Sequence, residues 1–231
     1  MNLKQYYLTE NDCYKAGNKI TVKGIMIHST GANNPYLNRY IAPDDGLLGQ
    51  NAYNNHWNQA KPGGIEVCVH AFIGKLVDGS VATYQTLPWN HRGWHAGGKA
   101  NDTHIGIEIC EDGLIDSDYF NKVYGEAIEL CVQLCKMYGV TEKDIMGHYE
   151  GYQRGIASNH ADPKHWFAIQ GASMDSLRSE VKRKLSATNE TSIKKVFRVQ
   201  VGAFSERSNA DALMKKLKAA GFADAFVRYY E

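Results

Sequence analysis

No stretch of the 231-residue chain approaches the roughly 18 consecutive apolar residues that a membrane-spanning helix requires, so no membrane span is expected. The opening segment, MNLKQYYLTENDCYKAGNK, lacks the apolar core of a secretory signal peptide. Synthesis in the cytoplasm is the corresponding expectation. Charge of one sign is not in excess either. Lys and Arg number 26 against 25 Asp and Glu, a net charge of +1, which leaves no electrostatic footprint for nucleic acid. The five cysteines, at 13, 68, 110, 131 and 135, form an odd set without a CxxC pair. All five read as reduced and mostly buried, because a free cysteine packs as a small hydrophobe.

Histidine and tyrosine, by contrast, are plentiful, at 9 and 14 residues. Histidine serves metals and proton transfer. The tyrosines and the 4 tryptophans either line a sugar or peptide groove or simply fill a core. A hydrophobic fraction of 43% with 22% charged residues is that of a folded protein rather than a disordered one. The length exceeds the usual single domain and predicts one medium domain with a small appendage.

Hydrophobic periodicity places the elements. ITVKGIMIH (20–28) reads as a strand ending in a polar residue, and 64–84 as two strands around an Asp78-Gly79 turn. THIGIEICED (103–112) is a further strand. From Tyr119 to Tyr138 apolar residues recur every three or four positions. A helix follows, with Ser117 or Asp118 able to cap it and Gly139 to end it. A second helix covers 173–185. SATNETS (186–192) is small, polar and aperiodic and reads as a linker. The predicted boundaries are therefore a main domain at 1–185, a linker at 186–193 and a C-terminal unit at 194–231.

That unit reads as strand, helix (208–222) and strand. Between Lys194 and Glu231 it carries eight Lys and Arg against four Asp and Glu. A basic tail of this kind either meets an anionic partner or is a solvated helix face.

Three residues stand out as candidate metal ligands. His28 closes an apolar strand, where it can project into a cleft. His148 follows the short apolar approach DIMG. Asp162 precedes Pro163, which biases it toward an extended conformation. In an extended segment His160 and Asp162 point to the same side. A hydrolytic zinc takes three protein ligands and leaves a fourth position for water. His28, His148 and Asp162 supply such a set, although nine histidines offer many triples and each of these reads equally as a packed structural residue. Glu108, taken alone in its strand, reads as a solvent-facing residue.

Five segments change that balance. GIMIHST, WHAG, HIGIEICED, GHYEGY and SNHADP occur in this order between residues 20 and 170. In this they resemble the zinc-dependent N-acetylmuramoyl-L-alanine amidases of the amidase-2 family, which includes phage endolysins, wall-recycling enzymes and peptidoglycan recognition proteins. The resemblance implies an α/β fold with a mixed central sheet flanked by helices. It implies one zinc ion held by His28, His148 and Asp162, with Glu108 as the catalytic carboxylate. His160 stands where many members carry a lysine and is expected to donate to the developing oxyanion, to serve as a partner of the ligands, or to be an alternative ligand. Some branches carry a catalytic tyrosine before the hairpin histidine; here that place is Val69. Trp94 and His95 are expected at the rim of a substrate groove. His70 is assigned either to that groove or to the core, and His165 to packing.

The activity implied is that of a phage or prophage endolysin. It cleaves the amide between N-acetylmuramic acid and L-alanine in peptidoglycan, acting on glycan strands and their stem peptides after holin-type release to the wall. Two other readings stand beside it, a non-catalytic peptidoglycan recognition protein and a zinc peptidase cutting within the stem peptide. The segment VQVGAF and the helix after it resemble the first half of a SPOR domain, a peptidoglycan-binding module. The half unit implies a homodimer completing one sheet, or a basic tail that binds anionic wall polymers.

Overall fold

The computed structural model describes residues 1–192, 200–223 and 225–227. The chain divides into two compact units, Met1–Asn189 and Glu190–Glu231.

The first unit is built on a six-stranded sheet of β1 (Leu3–Gln5), β2 (Gly24–Ser29), β3 (Ala71–Lys75), β4 (Val81–Gln85), β5 (His104–Ile109) and β6 (Ile145–Gly147), in the order β1-β4-β3-β5-β2-β6. Only the β3–β4 pair is antiparallel among these. Its hairpin follows from the turn chemistry: the Asp78 carboxylate accepts from the Ser80 backbone N–H, and Gly79 takes φ +81°. The mixed sheet with flanking helices is the architecture the sequence pointed to.

β2 is buried along its whole length, as a central strand of a covered sheet must be. Alternation splits its side chains between two environments. Ile25 and Ile27 join Ile105, Ile107 and Ile109 of β5 in the main core. Against that core pack α2 (Ser117–Tyr138), α4 (Lys164–Ile169) and α5 (Met174–Ser192), through residues such as Val123, Leu130, Leu134, Trp166, Phe167, Leu177 and Val181. Each such side chain, fully buried, contributes about 1.5–3 kcal/mol. Met26 faces the other way, toward Ala96, Ala100 and Met146. His28 shares its parity with Met26 and so stands on the face away from α2. On the same side of the sheet farther along, Leu37, Tyr40, Ile41 and Leu48 of the segment 33–58 cover Phe72 and Tyr84.

The long helix starts slightly earlier than its periodicity indicates. Asp116 is the cap, accepting from the Tyr119 backbone N–H, and Gly139 ends the helix at φ +69°. One expectation is corrected. Cys13 and Cys68 form a disulfide across a sequence separation of 55, whereas Cys110, Cys131 and Cys135 are free and buried. The odd count hid this pair, because the two cysteines meet only when α1 (Asp12–Ala16) docks beside the segment leading into β3. The stretch read as a linker is helical through Ser192. Extending an existing helix adds one hydrogen bond per residue fixed, so a polar aperiodic sequence follows it readily.

In the second unit α6 (Arg207–Ala219) is preceded by Glu206 as cap, without a side-chain bond. An Arg207–Asp211 pair at 3.1 Å spans its first turn. The strands expected on either side are not found among the described residues, where 200–204 and 225–227 are irregular. Residues 195–199, 224 and 228–230 of those expected strands lie outside the described residues.

Candidate metal centre

Parallel strands β5, β2 and β6 deliver their carboxyl ends to one edge of the sheet, the place where open α/β sheets present reactive groups. His28 is the penultimate residue of β2. Glu108 is its register partner on β5, so the two side chains emerge on the same face. His148 is the first residue after β6 and opens α3 (His148–Gln153). A side chain at position 147 would meet Pro163 Cδ and the Tyr149 ring at 3.0 Å, so glycine lets the following loop close over His148. The Glu150 carboxylate accepts from the Gly147 N–H at 2.9 Å and is itself held by Arg178 at 2.9 and 3.0 Å. The Tyr149 N–H donates to the Asp162 carbonyl at 3.2 Å, which carries Asp162 over the strand ends.

The three expected ligands meet. His28 Nδ1 lies 3.1 Å from Asp162 Oδ2 and 3.1 Å from His148 Nδ1, and His148 Nδ1 lies 3.6 Å from Asp162 Oδ1. All three residues are buried. Ligand atoms about 2.0–2.1 Å from a tetrahedral zinc stand about 3.3 Å from one another, so these separations fit a single such ion. Two imidazole nitrogens and a carboxylate turned toward a common point away from bulk water form a donor set that a divalent cation satisfies. Burial alone would raise the Asp162 carboxyl, but the neighbouring His148 and His28 imidazoles outweigh that and hold it well below the usual carboxylate range. Burial lowers the His28 imidazole, against the opposing pull of Asp162.

Glu108 sits beside this centre in the opposite state. Burial, then the charges of Asp162 and Glu111, push its carboxyl well above the ordinary range. Its Oε2 is buried without a hydrogen-bond partner among the described residues. A carboxyl so placed holds a proton more readily than a solvated one. His160 lies at the solvent side, its side chain 60% exposed, with its ring stacked on His148 at 4.6 Å and its Nδ1 3.9 Å from Asp162 Oδ1. It therefore has a free edge beside the ligand set.

The expected substrate contacts are redistributed. His70 is fully buried; its Nε2 donates to the His91 carbonyl at 2.9 Å and its Nδ1 accepts from the Gly106 N–H at 3.0 Å. With both ring nitrogens engaged it has nothing to offer a substrate, and it belongs to the core. His95 turns inward beneath His28 rather than outward to a rim: its Nδ1 is 2.9 Å from His28 Nε2 and its Nε2 3.1 Å from the His104 carbonyl. Trp94 is half-exposed and packs beside Cys13, Cys68 and Leu87. His165 pairs with buried Glu111 at 2.9 Å. Sequence reasoning missed Ser158, which contacts His148 Nε2 at 3.2 Å. It lies inside SNHADP, but nothing in a lone serine signals that role.

Comparison with known proteins agrees with this geometry. The chain is 29% identical over 157 residues to the N-acetylmuramoyl-L-alanine amidase CwlL of Bacillus licheniformis, covering 59% of the chain and 40% of that protein. It is 34% identical over 107 residues to the amidase CwlH of Bacillus subtilis, covering 38% and 41%. It thus spans less than half the length of these curated relatives. The fold is shared with the Staphylococcus aureus hydrolase AmiA, at TM-score 0.57 and 20% identity over 82% of this chain and 84% of that one. The SPOR domain family matches residues 172–229, beginning just before α5 rather than at 194. The family described as N-acetylmuramoyl-L-alanine amidase matches residues 18–165, which contain all three ligand candidates and Glu108, and the chain belongs to that family.

Proposed function

We propose that the chain is a zinc-dependent peptidoglycan hydrolase that cleaves the amide between N-acetylmuramic acid and L-alanine, as a phage or prophage endolysin. The observation that carries this reading is the convergence of His28, His148 and Asp162 beside the half-buried carboxyl of Glu108. One zinc ion held by the three ligands supplies Lewis acidity, which polarises an amide carbonyl and makes water a competent nucleophile near neutral pH. Glu108 takes the proton of the attacking water and passes it to the leaving amine. His160, exposed at the rim, donates to the oxyanion that develops on the former carbonyl. Trp94 offers its half-exposed ring to a sugar face or stem peptide.

The C-terminal unit, matched as SPOR, is proposed to hold the enzyme on glycan strands. Exposed Val201, Phe204 and Phe222 support self-association through it, which sedimentation of the full chain tests. Among the described residues no helix is long and apolar enough to cross a membrane. Access to the wall is proposed to follow holin-type release.

Retention of the whole ligand trio with Glu108 disfavours a recognition protein that binds without cutting. A zinc peptidase would use the same residues and differs in its products. Digestion of purified sacculi, with chelation and zinc restoration, separates the readings. New amino-terminal alanine without new reducing sugar supports the amidase. New reducing ends, or amino termini from residues deeper in the stem peptide, reject it.

A further inference from the structure

The loop Gly93–Gly98 reaches the outer nitrogen of His28 directly, through His95, and that of His148 through Ser158. His28 Nε2 lies 2.9 Å from His95 Nδ1, and His95 Nε2 lies 3.1 Å from the His104 carbonyl oxygen. His148 Nε2 lies 3.2 Å from Ser158 Oγ, which donates in turn to the Ala96 carbonyl at 3.2 Å. A carbonyl oxygen accepts and never donates, so each chain has a fixed direction. The His104 carbonyl requires the proton of His95 on Nε2. That leaves His95 Nδ1 a bare acceptor, which requires a proton on His28 Nε2 and leaves His28 Nδ1 as the lone pair facing the metal centre. The Ala96 carbonyl orients the Ser158 hydroxyl, which then accepts from His148 Nε2–H and leaves His148 Nδ1 as the second lone pair.

The loop is built to hold these contacts. Asn101 Oδ1 accepts from the backbone N–H groups of His95 and Ala96 at 3.0 and 2.8 Å. A Cβ on Gly106 would stand 2.5 Å from the His95 ring, and one on Gly93 would stand 2.7 Å from it. The imidazole thus occupies a slot that two glycines leave open. On the other side, a Cβ on Gly97 would meet Ser158 Oγ at 2.7 Å, and Gly97 already has φ +61°. The Ser158 N–H donates to the Ala96 carbonyl at 2.8 Å, which ties the two loops together.

We infer that His95 and Ser158 are positioning residues that fix the tautomers of His28 and His148, so that both present unprotonated Nδ1 to the metal. The inference rests on the zinc reading above and adds the means by which the ligand atoms are selected. Partners of this kind are worth about 10–100-fold in metal affinity.

The test is zinc affinity of the full chain by competition with a chromophoric chelator, for wild type, His95→Asn, His95→Phe and Ser158→Ala. Asn places a carbonyl oxygen where Nδ1 stood and keeps the acceptor; Phe keeps the ring shape and removes it. The expected result is about 10–100-fold weaker zinc binding for His95→Phe and Ser158→Ala, with His95→Asn within about threefold of wild type by the same reasoning. Equal affinity in all four chains overturns the inference while leaving the zinc reading intact; no zinc binding by wild type rejects the zinc reading itself. Should His95→Phe fail to fold, long-range nitrogen–proton NMR of zinc-loaded wild type decides. A proton on His95 Nε2 supports the relay and a proton on its Nδ1 overturns it.

Discussion

His28 and Glu108 are register partners on adjacent parallel strands, so one face of the sheet carries a metal-ligand candidate and a buried carboxyl side by side. Neither residue depends on a loop for its position. The two are fixed relative to each other by backbone hydrogen bonds of β2 and β5, while His148 and Asp162 are brought in from the end of β6 and the loop after α3. Preorganisation of this kind suits the proton-carrying role proposed for Glu108.

Replacement of that carboxyl separates chemistry from metal binding. Glu108→Gln keeps the shape and loses the proton acceptor. Release of amino-terminal alanine from sacculi is expected to fall by about 10²–10⁴-fold, with zinc content per chain unchanged. A variant that loses zinc instead would make Glu108 a ligand.

His160 is exposed and lies 3.9 Å from Asp162 Oδ1, beside the ligand set rather than within it. His160→Ala is expected to lower kcat by about 10²–10³-fold, with little change in zinc affinity. A drop in zinc affinity equal to that of His148→Ala would place it among the ligands.

His70 makes stability depend on pH. Burial depresses its imidazole from 6.5 to about 4. Between those values the unfolded chain binds a proton that the folded chain does not. Its contribution is therefore complete above about 6.5 and is lost as pH falls toward about 4, by at most about 3 kcal/mol. Denaturant unfolding from pH 5 to 7 is expected to show a shallower slope for His70→Gln than for wild type. Equal slopes would show that His70 titrates normally.

The Cys13–Cys68 bridge closes a loop with a sequence separation of 55. In the chain-entropy account such a crosslink stabilises by about 4 kcal/mol. Reductant is expected to lower the Tm of wild type and to leave a Cys13→Ser/Cys68→Ser chain unchanged. Thiol titration of the denatured, unreduced protein should find three free thiols, those of Cys110, Cys131 and Cys135. Five would contradict the bridge.

The sequence carried the sheet well where periodicity is strong. GIMIH, the Asp78-Gly79 hairpin and the helix ending at Gly139 all form as their patterns indicate. The convergence of His28, His148 and Asp162 was not legible from spacing, because the residues lie far apart in the chain and nine histidines offer many triples; the order of the five segments singled them out. The role of His95 was hidden for a different reason. A histidine among glycines and small residues reads as an approach to a ligand, and only the fold shows that what approaches is His28 from β2. The bridge between Cys13 and Cys68 is likewise a tertiary fact, since cysteine count and spacing carry no trace of which chain segments dock. In the tail the helix forms as its pattern indicates, and part of each expected strand lies outside the described residues.

The account stands on three side chains sharing one ion. Zinc titration of the metal-free chain, run beside His28→Ala, His148→Ala and Asp162→Ala, addresses this most directly. One tightly held zinc per wild-type chain, with binding weakened in each of the three variants, is the predicted result. Undiminished binding in any one of them would contradict it.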